Sequence, residues 1–226
     1  MSVLFSSRLG AGFDTRDKRP RTYLFFCVSL SGMSSLISSE RHPFEPFLPE
    51  GAKMLFLGSF PPQPKRWCMP FYYPNWLNDF WRILGLIHFG DKDHFCLPQE
   101  KRFDEAAVRA FCAQAGLAFY DTACEVRRLK DNASDAFLEV VTPTDIPGLL
   151  ARIPDCHTLI ATGQKATEVV AERFGCGIPP VGGCMDIDID GRPVRFWRMP
   201  SSSRAYPLPL EKKAAAYRTL FTPNPQ

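Results

Sequence analysis

Three short segments hold the residue types that chemistry needs, each at the exit of an apolar run: Gly58-Ser59-Phe60-Pro61-Pro62, Thr162-Gly163-Gln164-Lys165 and Met199-Pro200-Ser201-Ser202-Ser203-Arg204. The third says most. A proline-stiffened turn with three hydroxyls and an arginine offers short donors for phosphate oxygens and one cation long enough to probe a groove. An ordinary serine-rich loop ahead of a helix has the same composition. Lys165 is open to two readings as well, a contact to a nucleic-acid backbone or a solvated helix start.

Metal and disulfide chemistry find less support. The eight cysteines and four histidines (His42, His88, His94, His157) form no C-x-x-C and no Cys/His set at zinc-ligand spacing. A chain of 226 residues can bury a core without staples. The cysteines therefore read as small buried hydrophobes in a reducing compartment, with a metal or cluster site as the weaker alternative. No cofactor is implied.

The elements that must position these loops follow from periodicity. Lys53 to Ser59, Leu117 to Tyr120 and Thr158 to Ala161 are apolar runs of strand length. Trp76, Leu77, Phe80, Trp81, Leu84 and Ile87 recur at helical spacing. Helices are also expected over Asp104 to Ala115, Asp145 to Ile153, Gln164 to Phe174 and Leu210 to Leu220. Met185 to Ile189 alternates with period two, Asp190-Gly191 signals a hairpin, and Val194 to Met199 returns. Strands alternating with helices predict an α/β class: one domain, a three-layer α/β/α arrangement around a central, mostly parallel sheet. Ligands bind such sheets where loops leave the strand ends.

Hydrophobic residues at 45% and charged residues at 23% exclude a disordered or fibrous chain. The apolar run Tyr23 to Leu30 falls well short of the ~20 residues that a membrane span needs. The formal net charge is only +3, yet positions 191–226 hold seven Lys and Arg against Glu211 alone. A segregated basic end points to a polyanion partner, or to a solvated basic surface. Residues 1–41 differ from the rest, with serine-rich stretches and the cluster Lys18-Arg19-Pro20-Arg21. They read as a disordered or non-native extension with Met33 as the working start, ahead of a domain at 42–222 and a short tail at 223–226.

Taken together, the loops resemble the uracil-DNA glycosylase superfamily. Met199 to Arg204 is similar to the M-P-S-S-S-A-R loop of thymine-DNA glycosylases and the N-P-S-G-L-S loop of mismatch-specific uracil-DNA glycosylases. Gly58-Ser59-Phe60-Pro61-Pro62 is similar to G-I-N-P-G, and more so to the G-S-M-P-G of the hypoxanthine-DNA glycosylase branch. Tyr72 to Trp81 resembles that branch's Y-Y-A-H-P-R-N-A-F-W at both tyrosines, the asparagine and the final Phe-Trp. The resemblance covers about residues 42–222.

It implies a monofunctional, metal-free DNA glycosylase acting on a flipped, deaminated base, uracil or hypoxanthine. DNA carrying the damaged base is the partner, with no membrane and no obligate protein partner. The location implied is cytoplasmic, nucleoid-associated in a bacterium. In G-I-N-P-G the asparagine orders the attacking water, and Phe60 cannot. Asn78 matches the asparagine that the hypoxanthine branch offers instead; a structural asparagine bound to loop backbone is the alternative, with Asp79 and Asn75 behind it. Tyr73 is placed to stack on the base, with Ser59, Phe60 and Phe71 completing a pocket and Asp121 near the base edge. Gly163, Lys165, Pro200, Ser201, Ser202, Ser203 and Arg204 would meet DNA, with Arg204 as a wedge into the vacated stack. Two rival readings stand beside this one: a non-catalytic binder of damaged DNA, and an α/β enzyme acting on a nucleotide-like small molecule.

Overall fold

The computed structural model describes residues 38–129 and 137–222. Of the expected 1–41 extension, residues 1–37, with the expected start at Met33, lie outside the described residues, as do 223–226. In chain order the elements are β1 (Glu40–Arg41), β2 (Met54–Gly58), α1 (Phe80–Phe89), β3 (Cys96–Leu97), β4 (Arg102–Phe103), α2 (Glu105–Gln114), β5 (Leu117–Asp121), β6 (Ala123–Arg128), β7 (Leu138–Pro143), α3 (Ile146–Arg152), β8 (Thr158–Thr162), α4 (Gln164–Phe174), β9 (Gly183–Ile189), β10 (Arg192–Met199) and α5 (Leu210–Arg218).

The main sheet has the order β5-β2-β8-β10-β9. Its first four strands run parallel, and β9 closes one edge antiparallel to β10. β2, β5 and β8 read as continuous apolar runs because both faces of a parallel strand are covered; all five residues of β5 are buried. The β9–β10 hairpin turns through Asp190 and Gly191, both at positive φ (54° and 80°), as a two-residue hairpin turn demands.

Helix boundaries follow their caps. Asp104 accepts the Ala107 N–H and starts α2; Asp145 accepts the Gly148 N–H and starts α3, with Pro147 in its first turn where the missing N–H costs nothing. One boundary differs from the periodicity. Trp76 and Leu77 lie outside α1, which begins at Phe80, because the Asn78 side chain takes the Phe80 N–H and bends the preceding chain into a turn. Leu77 is consequently 57% exposed.

Several aromatic side chains meet around one strand. Phe119 of β5 packs on Phe56, Tyr72, Phe80 and Trp81 with ring centroids 5.3–5.8 Å apart. A second, three-stranded antiparallel sheet, β1-β6-β7, has no forerunner in the sequence reading. It takes Glu40 and Arg41 into the fold, two residues ahead of the expected domain start. Phe60, Ala123, Val126 and Leu138 form a small core against it. Among the described residues no helix is long and apolar enough to cross a membrane.

Candidate active site

Register brings the strand exits together. Gly58 opposes Asp121 across β2 and β5, and Met199 opposes Thr162 across β10 and β8. The loops after β2, β5, β8 and β10 therefore leave the same end of the sheet. They enclose a cavity of about 150 Å3 lined by Gly58 to Pro62, Tyr72 to Asn75, Leu77, Asn78, Asp121, Thr162 and Ser201 to Ser203, with Phe44 and Arg128. Of the residues singled out from the sequence, Ser59, Phe60, Tyr73, Asn78, Asp121, Ser201, Ser202 and Ser203 meet here.

Tyr73 sits at φ 50°, a left-handed conformation rare for a bulky residue. Its ring stacks on Phe80 at 3.8 Å, and its hydroxyl lies 2.8 Å from Thr162 Oγ1. Thr162 Oγ1 donates to the Leu57 carbonyl, so the tyrosine is the donor of that pair. Burial raises the Tyr73 phenol well above its usual range and keeps it neutral. Asn78 Oδ1 accepts the Phe80 N–H at 2.9 Å, and its backbone bridges to Ser203. A carbonyl oxygen has two lone pairs, so this contact leaves one for a second donor.

The serine loop is held from below. Ser202 O accepts from the Asp79 N–H, Ser203 O from Lys213 Nζ and Pro200 O from the Tyr217 hydroxyl. Ser201 Oγ and Ser203 Oγ each accept a local N–H two residues on. Each hydroxyl thus keeps its own proton to give to an anion. Gly163, at φ 113°, starts α4 beside Ser201.

Several expected residues are elsewhere. Phe71 is 2% exposed and belongs to the core, stacked on Trp81 under the Arg109 guanidinium. Pro200, Gly163 and Lys165 do not line the cavity. Nor does Arg204, whose Nε is 2.9 Å from Asp79 Oδ1. Asp79, 6% exposed, also takes Lys213 Nζ at 3.0 Å. Both of its oxygens are thus occupied by cations, and Asp79 does not line the cavity.

Most cations of the basic C-terminal segment have partners within the chain. Arg192 donates to the Leu150, Ile153, Pro154 and Cys156 carbonyls, Arg195 pairs with Asp186, and Arg198 bonds the Pro179 carbonyl and Gln164. With Arg204 and Lys213 on Asp79, five of the seven cations there have a carbonyl or side-chain partner, and Arg195 and Arg204 stay partly exposed. A linear count cannot see this, because the acidic partners lie earlier in the chain.

Two groups at the site had no signal in the sequence. His42 has a side chain 2% exposed, with Nε2 2.9 Å from Asp121 Oδ2 and Nδ1 2.8 Å from the Phe44 carbonyl. Its partner is 79 residues away, so no spacing rule could link them. Arg128 donates to both Glu40 oxygens and to the Pro61 carbonyl, and so ties the second sheet to the first loop. Tyr72 is held neutral by burial first and then by the Asp121 charge. Among the described residues no group of three or more His, Cys, Asp or Glu could hold a metal ion.

No protein-family model matches the chain, and no curated protein matches it. Among solved structures, a solution NMR structure from Methanosarcina acetivorans, named as a candidate uracil DNA glycosylase, aligns over 80% of this chain and 99% of its own. The TM-score is 0.52 at 21% identity. The fold is therefore shared with that protein: a mixed α/β domain built on a five-stranded, mostly parallel sheet.

Proposed function

We propose that this chain is a monofunctional DNA glycosylase of the uracil-DNA glycosylase superfamily, nearest in its motifs to the hypoxanthine branch. It hydrolyses the N-glycosidic bond of a flipped, deaminated base. The observation that carries the reading is convergence: Gly58 to Pro62, Tyr72 to Asn78 without Trp76, Thr162 and Ser201 to Ser203, drawn from separate parts of the sequence, line one cavity. The candidate activity of the Methanosarcina acetivorans protein, which has the same fold, adds to it. A three-layer arrangement with helices on both sides of the sheet goes with this reading, as does a DNA-associated location in the cytoplasm.

In the reaction, water oxygen bonds to C1′ of the sugar as the C1′–N bond breaks. The electron pair leaves with the base, and the water's second proton stays on the sugar as the new hydroxyl while the first neutralises the base. The transition state has oxocarbenium character, so the site must place the water, stack the base and stabilise its departing charge. Asn78 is assigned the water, through the lone pair not used by Phe80. Tyr73, braced by Phe80, is assigned the stacking. Ser201 and Ser203 supply hydroxyl protons for phosphate oxygens, with the N-terminus of α4 and Lys165 alongside. Lys65 and Arg66, exposed on the loop that follows Pro62, add to the grip.

The test is an abasic-site assay on duplexes carrying uracil, hypoxanthine, xanthine or mismatched thymine. Strand scission after alkali on at least one of them is expected. Tight, damage-selective binding without scission would instead favour a non-catalytic reader of damage, a reading supported by Phe60 in the cavity wall where related loops hold an asparagine.

A further inference from the structure

We infer that Arg128 is the cation that stabilises the departing base, donating from its guanidinium into the cavity as the C1′–N bond breaks. This rests on the glycosylase reading above and supplies the one task, holding the leaving charge, to which no motif residue is assigned.

Arg128 ends β6 in the three-stranded sheet, and its side chain is 7% exposed. Its nitrogens have different fates. Nε donates to both Glu40 oxygens at 3.0 Å, and Nη2 donates to the Pro61 carbonyl. Nη1 has no hydrogen-bond partner among the described residues, yet no fully buried side-chain nitrogen or oxygen is left unpaired. Nη1 therefore reaches open space, and the space that Arg128 lines is the cavity. On one side the guanidinium lies 5.6 Å from the centre of the Phe60 ring. Phe60 packs in turn with Ala123, Val126 and Leu138. The phenylalanine that cannot order water thus gives the cation a dry seat, and a guanidinium keeps its charge there.

Position and charge assign it to the base. Arg128 is the one cation among the residues that line the cavity. Its bond to Pro61 ties it to the loop after β2. The serine loop follows β10, two strands from β2 in the sheet order, or ~10 Å at the usual strand spacing. With the phosphate assigned to the serine hydroxyls, the base is left for Arg128. As the C1′–N bond breaks, its electron pair spreads over the leaving ring: onto N1 and both carbonyl oxygens of uracil, or onto the imidazole nitrogens and O6 of hypoxanthine. Each ring then offers Nη1–H an acceptor whose charge grows towards the transition state. A donor fixed at that place in a dry cavity binds the transition state better than the ground state, which is what raises a rate. Asp121, the cavity's other charged side chain, has the wrong sign for this task and is held by His42. Glu40 is a positioning residue: by taking Nε it leaves Nη1 for the cavity.

Arg128→Gln tests this by removing the charge and keeping a polar chain. Single-turnover excision of uracil and of hypoxanthine from duplex DNA is measured for both proteins, with melting curves and duplex affinity. Beside them run 5-fluorouracil and 8-azahypoxanthine, whose electron-poor rings carry the leaving charge with less help. The preferred parent base should be released at least tenfold more slowly by Arg128→Gln, with affinity within threefold. The loss on its electron-poor analogue should be at least threefold smaller. An arginine that only ties the second sheet to the first loop, or only meets phosphate, would give equal losses on both. The wild-type protein alone supplies a second measurement that is independent of the variant's folding. At pH 8.5 free 5-fluorouracil and free 8-azahypoxanthine are mostly anions, whereas uracil and hypoxanthine are mostly neutral. The anion should inhibit excision at least threefold more strongly than its neutral parent. Equal losses on parent and analogue, a parent base released by Arg128→Gln within threefold of wild type, or an anion that inhibits no better than its parent overturns the assignment while leaving the glycosylase reading intact. A wild-type protein that releases neither uracil nor hypoxanthine overturns both.

Discussion

Asp79 and Asp121 are both carboxylates at element ends, buried to nearly the same degree (6% and 7% exposed). They differ in how many of their oxygens are occupied. Asp79 gives Oδ1 to Arg204 and Oδ2 to Lys213, and its backbone N–H goes to Ser202. It is a fastener, pinning the serine loop to α1 and α5. Asp121 gives one oxygen to His42 and keeps the other for the cavity. Burial alone does not separate a structural charge from a chemical one; what separates them is whether a lone pair remains that only a ligand can satisfy.

The widest separation of the two regions should come from Asp79→Ala. It leaves Lys213, which is fully buried, without its counter-charge, and breaking one side of a buried pair costs about 3–5 kcal/mol. Urea unfolding should register that loss. A loss below about 1 kcal/mol would mean that the cluster is not the fastener. Next comes Asn78→Ala, expected to slow single-turnover excision by ~100-fold. It should also cost about 1 kcal/mol of stability, the size of a lost helix cap. Asn78→Asp keeps the acceptor for Phe80 and should recover that stability in a melting curve. An excision rate within threefold of wild type in Asn78→Ala would leave Asn78 only its bond to the Phe80 N–H, which holds the turn before α1.

Arg204→Ala sharpens the comparison on the exposed side. The arginine side chain is 45% exposed and pairs with a carboxylate that Lys213 also holds, so the stability cost should be about 1 kcal/mol or less. Because Arg204 is tied to Asp79 and absent from the cavity wall, excision from duplex and single-stranded DNA should fall by the same factor within threefold. A duplex-selective loss would restore the wedge role. The smallest effect concerns His88, packed edge-on against Phe111 and Phe221. Partial burial, then the Arg218 charge, lowers its pKa below 6.5. The unfolded chain therefore binds the proton more readily than the fold does. The His88 contribution to stability is complete above pH 6.5 and is lost as pH falls through 6.5 towards the lower folded value. Urea titrations at pH 7.5 and 5.5 should show a smaller difference in His88→Gln than in wild type.

The sequence by itself determined the parallel strands, the hairpin and most helices, because each rests on local periodicity and local caps. It also determined much of the cavity's rim: Ser59, Phe60, Asn78, Asp121 and the three serines are all within a few residues of a strand or helix end, whereas Tyr73 lies mid-loop, seven residues before α1. Only the tertiary structure decided what each side chain does there. Phe71 turned inward because the aromatic cluster needed it, and the C-terminal cations were committed to carbonyls and carboxylates from other elements. The second sheet brought Arg128 to the first loop, and the segment around β1 brought His42 to Asp121. Pairings across 79 or 134 residues, as for His42–Asp121 and Lys213–Asp79, leave no trace in local composition. They arise from which strand ends the sheet order sets side by side, and that order decided which buried carboxylate became a fastener and which kept an oxygen open to the cavity.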